Sequence, residues 1–126
     1  MKSFIVIISL AIMPALAAAD KDFTEGPGVT WDCGQDANVN INHANGKYIL
    51  TGECKTITIN GDSNNVAIAT ATEVDINGAT NKITIGTVAT INVNGATNKV
   101  TWKKATTGKK PAVNVVGLKN SVAKAK

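Results

Sequence analysis

The sequence predicts an all-β fold, a short right-handed parallel β-solenoid of about five coils. The first observation is a repeat: the segment NGATNK occurs twice, and Gly78 and Gly95 are 17 residues apart. The second is that apolar and polar residues alternate within each repeat with the period of two that is typical of strands. Strands this short cannot bury an apolar face alone. Consecutive copies are therefore expected to stack around one continuous interior.

Five segments follow the repeat, the first at an offset of 18 residues and the last after an insertion around Pro111. They are Val39–Leu50, Thr56–Ala69, Glu73–Gly86, Thr90–Lys103 and Ala112–Ala125. Trp102 shares an inward column with Ile85 and is predicted to be core. The other inward side chains are predicted to be Ile57, Ile59, Val66, Ile68, Val74, Ile76, Ile83, Ile85, Ile91, Val93 and Val100.

Each repeat bends at an Asn-Gly-x-x-Asn corner, where glycine can adopt the positive φ of a sharp turn. Asn-Gly is also a hairpin signal, so an antiparallel meander or barrel is the alternative fold. Stacking of identical coils is favoured because glycine and asparagine recur in the same columns, where side-chain amides can hydrogen-bond as a ladder. His43 replaces the glycine of the first corner and is predicted to be a turn residue of positive φ. The predicted ladder comprises Gly61, Gly78, Gly95, Gly117, Asn64, Asn81, Asn98 and Asn120.

Residues 1–19 are predicted to be a secretory signal peptide, because Lys2 precedes an apolar run that ends in small residues. The run is shorter than the roughly 20 residues of a membrane span and contains Pro14. No cysteine directly follows it, so a lipid anchor is not expected. Residues 20–126 are then one β-repeat domain, secreted or periplasmic and not membrane-spanning.

Two cysteines, Cys33 and Cys54, are predicted to form a disulfide, as an even count normally does in an oxidising compartment. Closing this loop would stabilise the fold by about 3 kcal/mol in the chain-entropy model. A metal site is the alternative, but His43 is the chain's single histidine. No metal and no cofactor is predicted.

Several motifs occur in a fixed order: Cys33, VNI, GEC ending at Cys54, TITINGDSNNVAI, INVNGATNKVTW and, after the insertion, GLKNSV. This order resembles a bacterial family, domain of unknown function 3060, over Val29–Val122. The first corner, HANG, departs from the family pattern. The resemblance implies an extracytoplasmic repeat protein and implies no activity.

Charge divides the chain. Residues 20–76 carry nine acidic residues and three lysines, a net charge of −6, whereas residues 77–126 carry nine lysines and no acid. This asymmetry indicates a non-enzymatic structural or binding module that contacts an anionic envelope component, lipid or polysaccharide. With no arginine in the chain, sequence-specific binding of nucleic acid is not expected. The candidate binding residues are Lys82, Lys99, Lys103, Lys104, Lys109 and Lys110.

Two other functions, a glycan-acting enzyme and an ice-binding protein, fit the sequence less well. A β-helix enzyme acting on glycans would need paired carboxylates, and Glu73 and Asp75 share one outer face. Their neighbours in adjacent coils are threonine and asparagine, which indicates a solvated acidic spot. An ice-binding solenoid would need flat threonine columns, as at Thr84 and Thr101, but charged residues interrupt them.

A solenoid leaves an open strand edge at each end. At the N-terminal end, Val29–Cys33 with Trp31 is predicted to cover the first coil. At the C-terminal end, the final strands, Val113–Val116 and Val122–Lys124, have no following coil. We expect a monomer, because lysines at an edge oppose strand addition. These lysines are Lys119, Lys124 and Lys126.

Overall fold

The computed structural model describes residues 21–24 and 28–125, which contain strands and no helix. The predicted signal peptide, residues 1–19, lies outside the described residues. Among the described residues, no helix is long and apolar enough to cross a membrane. The strands are β1 (Lys21–Phe23), β2 (Gly28–Asp32), β3 (Val39–Asn42), β4 (Lys47–Asn60), β5 (Asn65–Ala79), β6 (Lys82–Ala96), β7 (Lys99–Ala105), β8 (Ala112–Leu118) and β9 (Ser121–Lys124).

Every strand pairing is parallel, which confirms the solenoid and excludes the antiparallel meander or barrel. The strands follow the order β1-β3-β4-β5-β6-β7-β9, while β2 pairs with β4 and β8 pairs with β6. Val74 pairs with Ile91, which is 17 residues later, as the repeat requires. Tyr48 pairs with Val66, 18 residues later, as the offset of the first segment requires. Sequence order is therefore spatial order along the solenoid axis. The right-handed sense of the coil stays a prediction.

The solenoid has about six turns, one more than expected. The additional turn is formed by β1, which pairs with β3, and by β2, which pairs with β4. The repeat pattern did not reveal it because residues 21–32 contain no Asn-Gly corner and their inward residues are largely aromatic. Trp31 pairs with Leu50, and Phe23 pairs with Ile41, so both continue the inward columns.

The interior consists of stacked aliphatic columns. All the predicted inward side chains lie inside, each at most 3 % exposed, and Trp102 is 7 % exposed. Ala71 and Val88 add a further buried column beyond these predictions, because Ala71 pairs with Val88 on the third side of each coil. Since each coil buries its apolar side chains only against its neighbours, the core is continuous along the axis.

The N-terminal end of this core is covered. Phe23 contacts the Trp31 ring at a centroid distance of 6.0 Å and the Tyr48 ring at 5.6 Å. The Nζ atom of Lys21 lies 4.7 Å from the centroid of the Trp31 ring. In later coils the residue stacked on Lys21 is apolar, beginning with Val39. The predicted disulfide is present between buried Cys33 and Cys54, with a Cα–Cα distance of 5.0 Å. It fixes the end of β2 to β4.

Candidate functional site

The corner asparagines lie in a buried ladder that fixes how the coils stack. Asn64, Asn81 and Asn98 are each 1 % exposed. The backbone N–H of Asn64 donates to the side-chain oxygen of Asn81 at 2.9 Å, and that of Asn81 donates to Asn98 at 3.0 Å. The Asn98 N–H donates to Asn120 at 3.0 Å. Each amide nitrogen also donates to a carbonyl of an earlier corner, as Asn81 does to Gly61 at 2.9 Å.

The corner glycines are required by both conformation and space. Gly78 has a φ of 143°, and a Cβ at this position would collide with the carbonyl oxygen of Gly61. The prediction of a positive φ at His43 is wrong: in this corner the positive φ lies at Asn45, 60°, as it does at Thr80 in a later corner. His43 contributes its carbonyl oxygen, which accepts a hydrogen bond from the Asn64 side chain at 2.6 Å.

Two of the predicted binding lysines lie directly above one another. Lys82 pairs in register with Lys99, and both are exposed. Adjacent strands are about 4.8 Å apart, so the two ammonium groups share one strip of surface. Lys103 follows on the same outer face, because side chains two and four residues along a strand point the same way.

A cleft of about 430 Å³ lies beside the insertion that precedes β8. We call it the lysine cleft. Lys110 is exposed in the insertion but does not line the cleft, and Lys82 and Lys99 lie outside it. The residues that line the cleft include Trp102, Lys103, Lys104, Gly108, Lys109 and Lys124.

Lys124 belongs to the cleft because β9 stacks on β7. Trp102 pairs in register with Lys124, whose Nζ atom lies 5.9 Å from the centroid of the Trp102 ring. The sequence placed Lys124 at the open edge and missed this contact. The aligned repeats Thr90–Lys103 and Ala112–Ala125 already place Lys124 opposite Trp102, but they did not indicate that the ammonium group reaches the Trp102 ring.

The lysine cleft can hold an anion. It is lined by four ammonium groups, and no acidic residue occurs after Asp75 in the sequence. Lysine binds phosphate, sulfate or carboxylate groups as a point charge, without the planar selectivity of arginine. Trp102 is 7 % exposed, so its ring offers little surface for stacking on a ligand. Electrostatic attraction is the interaction that this arrangement provides.

Glu73 and Asp75 form the second group of titratable side chains. The Asn92 side chain donates to Glu73 at 3.0 Å and to Asp75 at 2.7 Å. A hydrogen bond with Asp75, followed by the charge of Asp75 and by desolvation, raises the pKa of Glu73, while Asn92 opposes the shift. Hydrogen-bonded carboxyl groups are closer than the roughly 5 Å or more that separates the two carboxyls of a glycosidase. The shared Asn92 donor holds the two carboxyl groups side by side.

Residues 70–107 match the family described as Protein of unknown function (DUF3060). The chain carries a DUF3060-family domain. The match covers less than half of the chain and includes both NGATNK corners as well as Trp102, Lys103 and Lys104. Neither the curated proteins nor the solved structures gave a match. The DUF3060 description carries no activity, so the functional argument depends on the chain's own geometry.

Proposed function

We propose that this DUF3060 protein is a non-enzymatic extracytoplasmic binding module whose lysine-rich C-terminal half contacts an anionic component of the cell envelope, lipid or polysaccharide. The lysine cleft is the observation that carries the proposal. Its ammonium groups have no acidic neighbour in the cleft lining. An anionic group bound there would relieve their mutual repulsion.

The stacking order of the coils supports the proposal. Because the strands stack in sequence order, the charge difference along the chain becomes a charge difference along the axis. All nine acidic residues precede Asn77 in the sequence, and those that the structure describes lie in the earlier coils, away from most of the later lysines. A separated distribution of this kind steers and orients a molecule on an anionic surface.

The disulfide supports the extracytoplasmic part of the proposal. Cys33 and Cys54 are bonded and buried, and bonds of this kind persist in oxidising compartments. Together with the predicted signal peptide, this favours a secreted or periplasmic protein. The candidate ligands are therefore those of the envelope.

A pull-down from cell-envelope extract tests the proposal. The chain should retain acidic lipid or acidic polysaccharide, and the variant Lys82→Gln/Lys99→Gln/Lys103→Gln/Lys104→Gln should lose most of that retention. Lys47→Gln/Lys55→Gln, two exposed lysines in the acidic half, is the control and should retain the ligand. Equal retention by the quadruple variant would contradict the proposal. Release of reducing sugars from envelope glycans would favour an enzyme instead.

A further inference from the structure

The last coil exposes an apolar edge. Among the described residues β8 pairs only with β6, so its other edge presents unpaired backbone groups. Four of the five large apolar side chains that are exposed in the described part of the chain lie on this one strand. They are Val113 at 40 %, Val115 at 44 %, Val116 at 64 % and Leu118 at 75 % exposure.

The positions of these side chains distinguish them from ordinary surface residues. Val115 pairs with Val93, and so continues a column that is fully buried wherever another coil follows. Val116 stacks in register on Asn94 of the preceding coil, and Leu118 stacks in the same way on Ala96. Larger apolar residues therefore replace polar or small ones on the strand that no coil covers.

The strand lacks the usual protection of an edge. Exposed edges are normally blunted by a lysine, a proline or a bulge within the strand. Residues 112–118 contain no lysine and no proline, and their register with β6 is continuous. Lys119 lies at the corner after β8, and Lys124 lies on β9 over Trp102. Lys126 lies outside the described residues.

The corner beside this edge is also incomplete. In the preceding coils the N–H of the corner asparagine donates to the asparagine of the following coil, as Asn98 does to Asn120 at 3.0 Å. Asn120 belongs to the last described coil, so no following corner supplies an acceptor to its own N–H. The end surface thus combines an open strand ladder, apolar side chains and a free donor.

We propose that the β8 edge binds an extended acidic segment of a partner protein by strand addition. Backbone hydrogen bonds of this kind give affinity, and alternate side chains give specificity. Small apolar residues of the partner would cover Val113 and Val115, while its acidic residues would face Lys110 and Lys119 on either side of the strand. Lys110 and Lys119 at the two ends of β8 favour an acidic partner, and the one carboxylate beside this strand is Asp75, which lines a cleft with Val116 among the described residues.

A second copy of the chain fits the edge less well. Its C-terminal end carries the same lysines, so two such ends repel each other. Its N-terminal end carries Asp22, but the strand at that end, β1, has only three residues to pair with the seven of β8, and Lys21 lies there over the Trp31 ring. This inference goes beyond the proposed function, because it concerns a polypeptide at the end of the solenoid and not an envelope anion in the lysine cleft.

Peptide titration of the isotope-labelled full chain tests the inference. The probe is a synthetic peptide with alternating valines flanked by glutamates. Two control peptides carry lysines in place of the glutamates or N-methyl groups on the backbone. The acidic peptide should shift the amide signals of residues 113–118, and both control peptides should bind at least about tenfold more weakly. Absence of binding by the acidic peptide would overturn the inference.

A matched pair of variants locates the binding site. Val115→Asp places a charge in the edge and should weaken binding of the acidic peptide at least about tenfold. Ile49→Asp changes a side chain of similar exposure, 41 % against 44 %, on another face and should leave binding unchanged. Circular dichroism would verify that both variants are folded. Retention of envelope anion by Val115→Asp should persist, which separates this inference from the proposed function.

Three results would overturn the inference at this stage. Binding that is insensitive to Val115→Asp would place the peptide elsewhere. Peptide-induced shifts centred on Lys82 and Lys99 would indicate a general attraction to lysine. Concentration-dependent self-association that Val115→Asp abolishes would show that a second copy occupies the edge.

Discussion

Single side chains at the corners determine the stacking of whole coils. A buried corner amide in this fold satisfies two backbone groups of the preceding corner, so its removal leaves an unpaired donor and an unpaired acceptor that water cannot reach. Asn81 accepts from the Asn64 N–H and donates to the Gly61 carbonyl, both at 2.9 Å. An exposed asparagine ladder also runs along the outside, where Asn77 donates to Asn60 at 3.0 Å. The two ladders share the same chemistry and differ in burial.

Replacing the buried amide should therefore cost far more than replacing the exposed one. Asn81→Ala leaves two buried backbone groups unpaired, at about 1–3 kcal/mol each, and should lower the free energy of unfolding by about 2–6 kcal/mol. Asn77→Ala should lower it by less than about 1 kcal/mol. Urea denaturation measures both. If both variants lost the same free energy of unfolding, burial would not explain the contribution of the corner ladder to stability.

The carboxyl pair gives a residue-scale prediction about pH. The raised pKa of Glu73 means that the folded state binds this proton more tightly than the unfolded state does. The pair's contribution to stability therefore rises as the pH falls through the raised pKa, and is complete below the unfolded value of about 4.3. Glu73→Gln should stabilise the fold relative to the natural chain at pH 7, and this gain should shrink towards pH 4.

Denaturation of both proteins across this pH range measures the effect. Glu53→Gln removes one exposed negative charge from the neighbouring coil and is the control. A gain for Glu73→Gln that is the same at pH 4 and pH 7 would show that the pKa of Glu73 is not raised by Asp75.

At the scale of elements, the alternation of apolar and polar residues along each strand predicted which face of the strand is buried. Ile76 is 0 % exposed, and Thr84 points outward from the next coil. The first turn of the solenoid was not predictable in this way, because Phe23 and Trp31 occur in a segment without the corner motif. The positive φ of Thr80, 60°, was also missed, since sequence reasoning assigned positive φ to glycine and histidine alone. Coil-to-coil hydrogen bonds hold this threonine: its N–H donates to the Ala96 carbonyl at 3.0 Å.

Burial gives a direct comparison between two strand residues. Ile76→Ala leaves a cavity in a column that is enclosed by neighbouring coils, and should lower the free energy of unfolding by about 2–4 kcal/mol. Thr84→Ala removes an exposed hydroxyl and should change it by no more than about 0.5 kcal/mol. Thermal or urea denaturation distinguishes the two. A small loss for Ile76→Ala would mean that the coils do not enclose this column in solution.

At the scale of the whole molecule, the parallel stack turns the change of net charge along the sequence into a change of charge along the solenoid axis. The repeat predicted the stack, and the charge count predicted two unlike ends. The lysine cleft was only partly predictable, because it depends on the path of the insertion, which lies outside the repeat. The repeat also predicted that Val113–Val116 lie at an open edge with no following coil, and these valines are exposed.

The salt dependence of ligand binding tests whether the lysine-rich half binds anionic envelope components by electrostatic attraction. Binding of the full chain to anionic vesicles and to an acidic polysaccharide is measured from low salt to about 1 M NaCl, where the screening length falls to about 3 Å. We expect strong binding to at least one of these ligands at low salt, its loss at high salt, and marked weakening by Lys103→Gln/Lys109→Gln but not by Lys47→Gln/Lys55→Gln. Binding that persists at high salt, or that is equal in the two double variants, would contradict this expectation.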